Sequence, residues 1–356
     1  MNSLQIINNN EYKRLNIIKK KFDIGLAILR TILSFFVIMT HCYCYNYAMG
    51  LWKFLIFKTK RFYFHVPIFF LMSFYFSQKT LSSFNTKKKV ERFERLCIPY
   101  FFWPIIIFLL NKLLILFKIT KNEIQIEHLK HQLLFGMGIM NMYILWYQWN
   151  IIFITFFFIL VICLFRKYYN FVLTIILITA FVYQYNGKNV LIFGKYKESM
   201  VLGRVMEMIP FSVIGFLISY SDIIHILKNF RLKVLISCTY LLFFLYEDHI
   251  FQDIKGFEHN GIQFFLVSIC IFVFFAMFPS EKIKNKIIIK IIKKLTNYTA
   301  GIYFIHVELS WCISKYIVPV KNKTINGCVI IYLLCYFICL IGSSIFGKTK
   351  LRNLFE

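Results

Sequence analysis

The chain carries none of the signatures of familiar soluble catalysis: no Walker loop, no dinucleotide glycine fingerprint, no Gly-x-Ser-x-Gly elbow and no His-Glu-x-x-His pair. Paired Cys-x-x-Cys spacing is missing too. The ten cysteines are scattered, and several (Cys163, Cys238, Cys270, Cys335, Cys339) fall inside apolar runs, a pattern of small buried hydrophobes and not of zinc or redox chemistry. No metal site is expected. There is no internal repeat and no inverted-repeat hydropathy of the kind many transporters show, which weighs against a carrier. Acidic residues are scarce, 16 against 42 Lys and Arg, leaving a net charge of +26.

What the chain has in abundance is apolar length. Of 356 residues 59% are hydrophobic and 20% aromatic, with a mean hydropathy of +0.65, far above what a soluble domain needs. The apolar stretches run to about 17–23 residues, enough to cross a hydrocarbon core as helix. Ten such spans are read at 24–44, 62–79, 98–117, 143–165, 169–185, 203–220, 231–247, 260–278, 299–319 and 325–346. Apolar runs this long exclude barrel strands, so the expected fold is an all-α polytopic membrane protein in a lipid bilayer. The expected domains are a basic N-terminal tail (1–23), one transmembrane domain (24–346) and a short C-terminal tail (347–356).

The positive charge, which in a soluble protein suggests nucleic acid, falls here in the short connections between spans and reads as topology. FNTKKKVERFER (84–95) and EKIKNKIIIKIIKK (281–294) mark cytoplasmic loops, while the acidic EDHIFQDIKGFEHN (247–260) falls outside. Both termini are expected in the cytoplasm, with no nucleic-acid partner. KRLNIIKKK before the first span has the look of a signal-peptide front, but the run is too long and lacks a small-residue cleavage site, so a retained first helix is expected.

The most informative pair lies in the first span, LAILRTILSFFVIMTHCY. Arg30 and His41 are eleven residues apart, about three helical turns, so both face one way some ~16 Å apart along the axis. Ionisable groups in a span are expensive and mark function by default. A His accepts a proton from a hydroxyl near neutral pH. The bland alternative is an Arg that snorkels inward and a His at the outer headgroups. In the second span His65 and Pro67 stand at the outer end and Ser73 near the middle; Pro67 frees a carbonyl that a cavity would satisfy, and His65 either shares a cavity mouth with His41 or marks the interface. Arg92 and Arg95 share one helical face before Pro99, suiting phosphate or pyrophosphate, or serving only as positive-inside signal. Trp146, Gln148, Trp149 and Asn150 put indoles and polar amides near the membrane surface, where tryptophans read as interfacial anchors. Arg204 and Glu207 read as an outer-side ion pair. Tyr303, His306 and Glu308 lie within one and a half turns in the ninth span and ask for a polar interior.

The ordered set resembles the membrane acyltransferase 3 family: the Arg30-to-His41 spacing, VPIFFLMS, RFERLCIPYFFW, LWYQW, GRVMEMIPFSVIG and GIYFIH, covering about residues 24–310. One departure stands out, since the family usually has glycine after the serine of the second span and this chain has Phe74. Loss of that glycine is expected to widen or reshape the space beside the first helix. The chain looks like a stand-alone member with no fused hydrolase-like domain.

The resemblance implies transfer of an acyl group, usually acetyl, from cytoplasmic acyl-coenzyme A to a hydroxyl of a surface polysaccharide, lipopolysaccharide or lipid-linked glycan. The acyl-coenzyme A is donor substrate, and no permanently bound cofactor is expected. His41 is then the general base on the acceptor or the nucleophile of an acyl-enzyme. Arg30, with Arg92 and Arg95, holds the donor, and Ser73, His65, Tyr303, His306, Arg204 and Glu207 are second-rank. The plasma membrane, the inner one in a bacterium with two, is the expected location. A multi-helix transporter or flippase for a glycan, lipid or ion is the competing reading.

Overall fold

The computed structural model describes residues 23–41, 64–118, 124–136, 145–185, 197–247, 262–279, 283–316 and 325–346, with residues 349 and 354. These residues form helices and their connections, with no strand among them. In chain order the helices are α1 (Ile24–His41), α2 (His65–Leu81), α3 (Thr86–Leu116), α4 (Ile126–Phe135), α5 (Leu145–Phe165), α6 (Tyr169–Tyr185), α7 (Lys197–Tyr220), α8 (Ile223–Lys228), α9 (Arg231–Glu247), α10 (Ile262–Ala276), α11 (Lys286–Asn297), α12 (Thr299–Tyr316) and α13 (Ile325–Phe346). Four helical stretches among them are long and apolar enough to cross a bilayer: 86–116, 146–182, 203–220 and 329–346. The second runs through α5 and α6 across a single 3₁₀ turn, Arg166–Tyr168. Shorter apolar helices cover 24–38 and 265–276.

Several connections expected to be loops are helical. α3 begins at Thr86, where Asn85 caps it by accepting from the Lys88 amide, so the basic run from Lys87 to Arg95 is helix. Pro99 and Pro104 lie inside this helix, each removing one ladder hydrogen bond. Residues expected to link the third and fourth spans include α4, which ends on a left-handed Gly136 and is held by Tyr100, whose hydroxyl donates to the Gln132 and Leu133 carbonyls. Pro67 needs no cavity to satisfy a freed carbonyl. It is the third residue of α2, where an amide has no partner within the helix.

α1 is the hub. It packs against α2, α10, α11, α12 and α13, and Leu26, Leu29, Leu33, Val37 and Ile38 are buried. Lipid tails are as apolar as leucine, so close fit and not expulsion from water holds such helices together. The tightest pair is α2 and α7. A Cβ at Gly215 of α7 would overlap the backbone of Leu71 in α2, and one at Gly25 of α1 would overlap the Phe275 carbonyl of α10. Gly215→Ala is therefore expected to push α7 off α2, at about 1–3 kcal/mol of overpacking. Thermal unfolding in detergent, followed by size-exclusion chromatography, should show a lowered midpoint; an unchanged midpoint would disprove the close approach.

Phe74 is fully buried. Its ring lies 4.7 Å from Phe158 of α5, which lies 5.4 Å from Phe216 of α7. The residue standing where the family has glycine thus fills the α2–α5–α7 junction. Cys238, Cys270, Cys335 and Cys339 are buried as expected, whereas Cys163 is exposed on the outer surface of α5.

Candidate functional site

A cavity of about 460 Å³ opens between α1, α2, α3, α5 and the α11–α12 junction. Helical periodicity builds its walls. Phe69, Met72, Ser73 and Phe76 of α2 follow the i, i+3, i+4, i+7 pattern of one helix face, and Arg92, Arg95, Leu96 and Pro99 of α3 repeat it. α1 contributes Arg30, α5 Tyr147, Gln148 and Ile151, and the last wall is Asn297, Thr299, Ala300, Tyr303 and Phe304.

Three guanidinium groups from two helices therefore meet in one space, and no carboxylate lines it among the described residues. The Arg92 Nη2 donates to Ser73 Oγ at 3.0 Å, which fixes the guanidinium plane. Its Nε is buried with no acceptor among the described residues. A buried charged donor without an acceptor is costly, and an anionic ligand would supply the missing partner. Gln148 donates its Nε2 proton to the Leu96 carbonyl at 2.9 Å, clamping α5 to α3 beside the arginines. Above them Tyr147 and Tyr303 rings stand 5.0 Å apart, and Phe70 presses on Tyr147 at 4.9 Å.

The remaining sequence candidates separate from this cluster. His41 closes α1, so the continuous helix keeps it about three turns beyond Arg30; its side chain, like that of Glu308, lies outside the described residues. His65 is buried and does not line the cavity. His306 is also fully buried, one turn beyond Tyr303, with Nδ1 donating to the Tyr303 carbonyl at 2.7 Å. A carbonyl only accepts, so Nδ1 carries a proton. Arg204 and Glu207 do pair, Nη1 to Oε2 at 3.5 Å, and the guanidinium caps the Trp146 ring at 5.0 Å. Glu207 is 3% exposed and Asn150 fully buried.

The match that decides the family is long. The acyltransferase domain family model covers residues 23–348, nearly the whole chain. This protein belongs to the acyltransferase 3 family. No curated protein and no solved structure matches it. The acyltransferase is thus an integral membrane enzyme whose apolar helices enclose a strongly cationic cavity. Tyr147, Asn297 and Thr299 are cavity residues that the sequence reading passed over. Tyr147 was legible in principle, because Tyr147, Gln148 and Ile151 share one helix face pointing away from the flanking tryptophans.

Proposed function

We propose that this acyltransferase carries acyl groups, acetyl in the first instance, from cytoplasmic acyl-coenzyme A to a hydroxyl of a surface polysaccharide, lipopolysaccharide or lipid-linked glycan. The observation that carries this reading is the meeting of Arg30, Arg92 and Arg95 in one cavity with no lining carboxylate among the described residues. Forked guanidinium groups suit the phosphates of a coenzyme A head group, and a volume of about 460 Å³ lies within the range of small-ligand sites.

Ten helices cross the bilayer in this reading: α1, α2, α3, α5, α6, α7, α9, α10, α12 and α13, with both termini cytoplasmic. The lysine-rich starts of α3 and α11 then lie on the same side as the start of α1, and the cavity opens to the cytoplasm, where the donor is. Its pantetheine arm runs along the face of α1 from Arg30 toward His41, a rise of about 16 Å. His41 takes the proton of the acceptor hydroxyl as its oxygen attacks the thioester carbonyl. The carbon–sulfur bond breaks, and the imidazolium returns the proton to the departing thiolate, giving ester and free coenzyme A.

The test uses membranes containing the protein, radiolabelled acetyl-coenzyme A and native cell-envelope glycan. Free coenzyme A and labelled glycan are expected in equal amounts. Absence of both with acetyl and longer acyl-coenzyme A donors would overturn the donor assignment.

A further inference from the structure

One element outside the cavity presents a surface whose chemistry names its own partner. α11, KIIIKIIKKLTN, contains no acidic residue, and its start is fixed by Asn285, whose side chain accepts from the Ile287 and Ile288 amides. Placing residues every 100° divides the helix into three sectors. Ile292 and Thr296 turn toward the bundle, where Thr296 is buried against α1. Lys286, Lys290, Lys293 and Lys294 occupy a second sector, all exposed. Between lysines and bundle, on the far side, Ile287, Ile288 and Ile291 are 70%, 44% and 53% exposed.

We infer that α11 is an interfacial helix that docks on anionic phospholipid headgroups of the cytoplasmic leaflet. A cationic stripe beside an apolar stripe left exposed by the described residues matches the boundary between headgroups and acyl chains. Charge of one sign only along the helix selects phosphate-bearing lipids of net negative charge over zwitterionic ones. The position agrees, since α11 links α10 to α12 at the end of the bundle, the level at which headgroups lie. An acidic protein partner would satisfy the lysines but leave the isoleucines without a counterpart.

The docked helix bears directly on the cavity. Thr296 Oγ1 lies 3.2 Å from the Ala27 carbonyl and 3.5 Å from Thr31 Oγ1, bracketing the turn of α1 that carries Arg30. The residues that follow, Asn297, Thr299 and Ala300, form a cavity wall. The lipid site rests on the proposed cytoplasmic orientation and not on acyl transfer itself.

The deciding experiment is native mass spectrometry of the delipidated full chain titrated with phosphatidylglycerol or phosphatidylcholine, with no donor or acceptor present. The wild type is expected to retain phosphatidylglycerol preferentially. Replacing Lys286, Lys290, Lys293 and Lys294 together by Gln should reduce that preference roughly tenfold or more, and the matching replacement by Arg should preserve it. Equal preference in the wild type and the Gln variant would overturn the proposal, as would displacement of the lipid by inorganic phosphate or retention of a second chain in its place. An inactive enzyme with an intact lysine-dependent preference would sink the acyl-transfer reading alone.

Discussion

Alanine at His41 is expected to slow acyl transfer by roughly 10²- to 10⁴-fold, the usual contribution of a positioned general base. The expectation follows from placement. α1 runs unbroken from Ile24 to His41, which sets His41 about three turns along the helix from Arg30, and in the proposed reading that is where the acyl end of an extended donor would lie. Release of free coenzyme A and labelling of glycan should fall together in the variant. Donor binding, measured separately by retention of labelled acetyl-coenzyme A, should be nearly unchanged, because His41 is about three turns from the phosphate-binding end. Equal turnover in wild type and variant would remove His41 from the mechanism. Lost binding together with lost turnover would mean that His41 holds the donor and does not act on the acceptor.

The second large effect concerns the cations. A charge-assisted hydrogen bond contributes about 1.5–3 kcal/mol, so changing both Arg30 and Arg92 to Gln is expected to raise KM for acetyl-coenzyme A by roughly 10²- to 10⁴-fold. The turnover number at saturating donor should change far less, since phosphates far from the thioester are bound alike in ground and transition state. Arg92→Lys should fall between, keeping the charge but losing the fork and the geometry of the 3.0 Å bond to Ser73. A KM unchanged by the double substitution would show that the cavity serves another ligand. Extraction yield and a monodisperse elution profile would separate a folding defect from a binding defect.

How far the site could be read from the sequence depended on how many helices had to meet. Arg30, Ser73, Arg92 and Arg95 are recoverable because each sits in an apolar or amphipathic helix where a charge or hydroxyl is conspicuous, and helical spacing fixes its face. Their convergence was suggested by the family resemblance, and the structure brings those four side chains to one cavity. His65 and His306 are equally conspicuous as residues, yet neither lines it. Sequence gives a side chain's position along its own helix, whereas its direction in the bundle depends on neighbours more than a hundred residues away. Phe74 illustrates the same limit: its bulk is visible at once, but only Phe158 and Phe216 explain where it goes. The Ile and Lys alternation of α11 was visible as well, but its charge density made it read as a loop, because a positive-inside signal and an interfacial helix use the same residue type.

The central position of α1 also has a consequence for biogenesis. Among the described helices it comes first in chain order, and four of the five packed around it, α10 to α13, come after all the others. Thr31 meets Thr296 across 265 residues of chain. Until those segments arrive, Arg30 and the hydroxyl of Ser34 must wait in the bilayer without the wall that later encloses them. A nascent chain stopped before α10 would hold Arg30, Arg92 and Arg95 and still lack the wall formed by Asn297, Thr299, Ala300, Tyr303 and Phe304. The arginines of this enzyme are thus made some two hundred residues before the segment that faces them across the cavity.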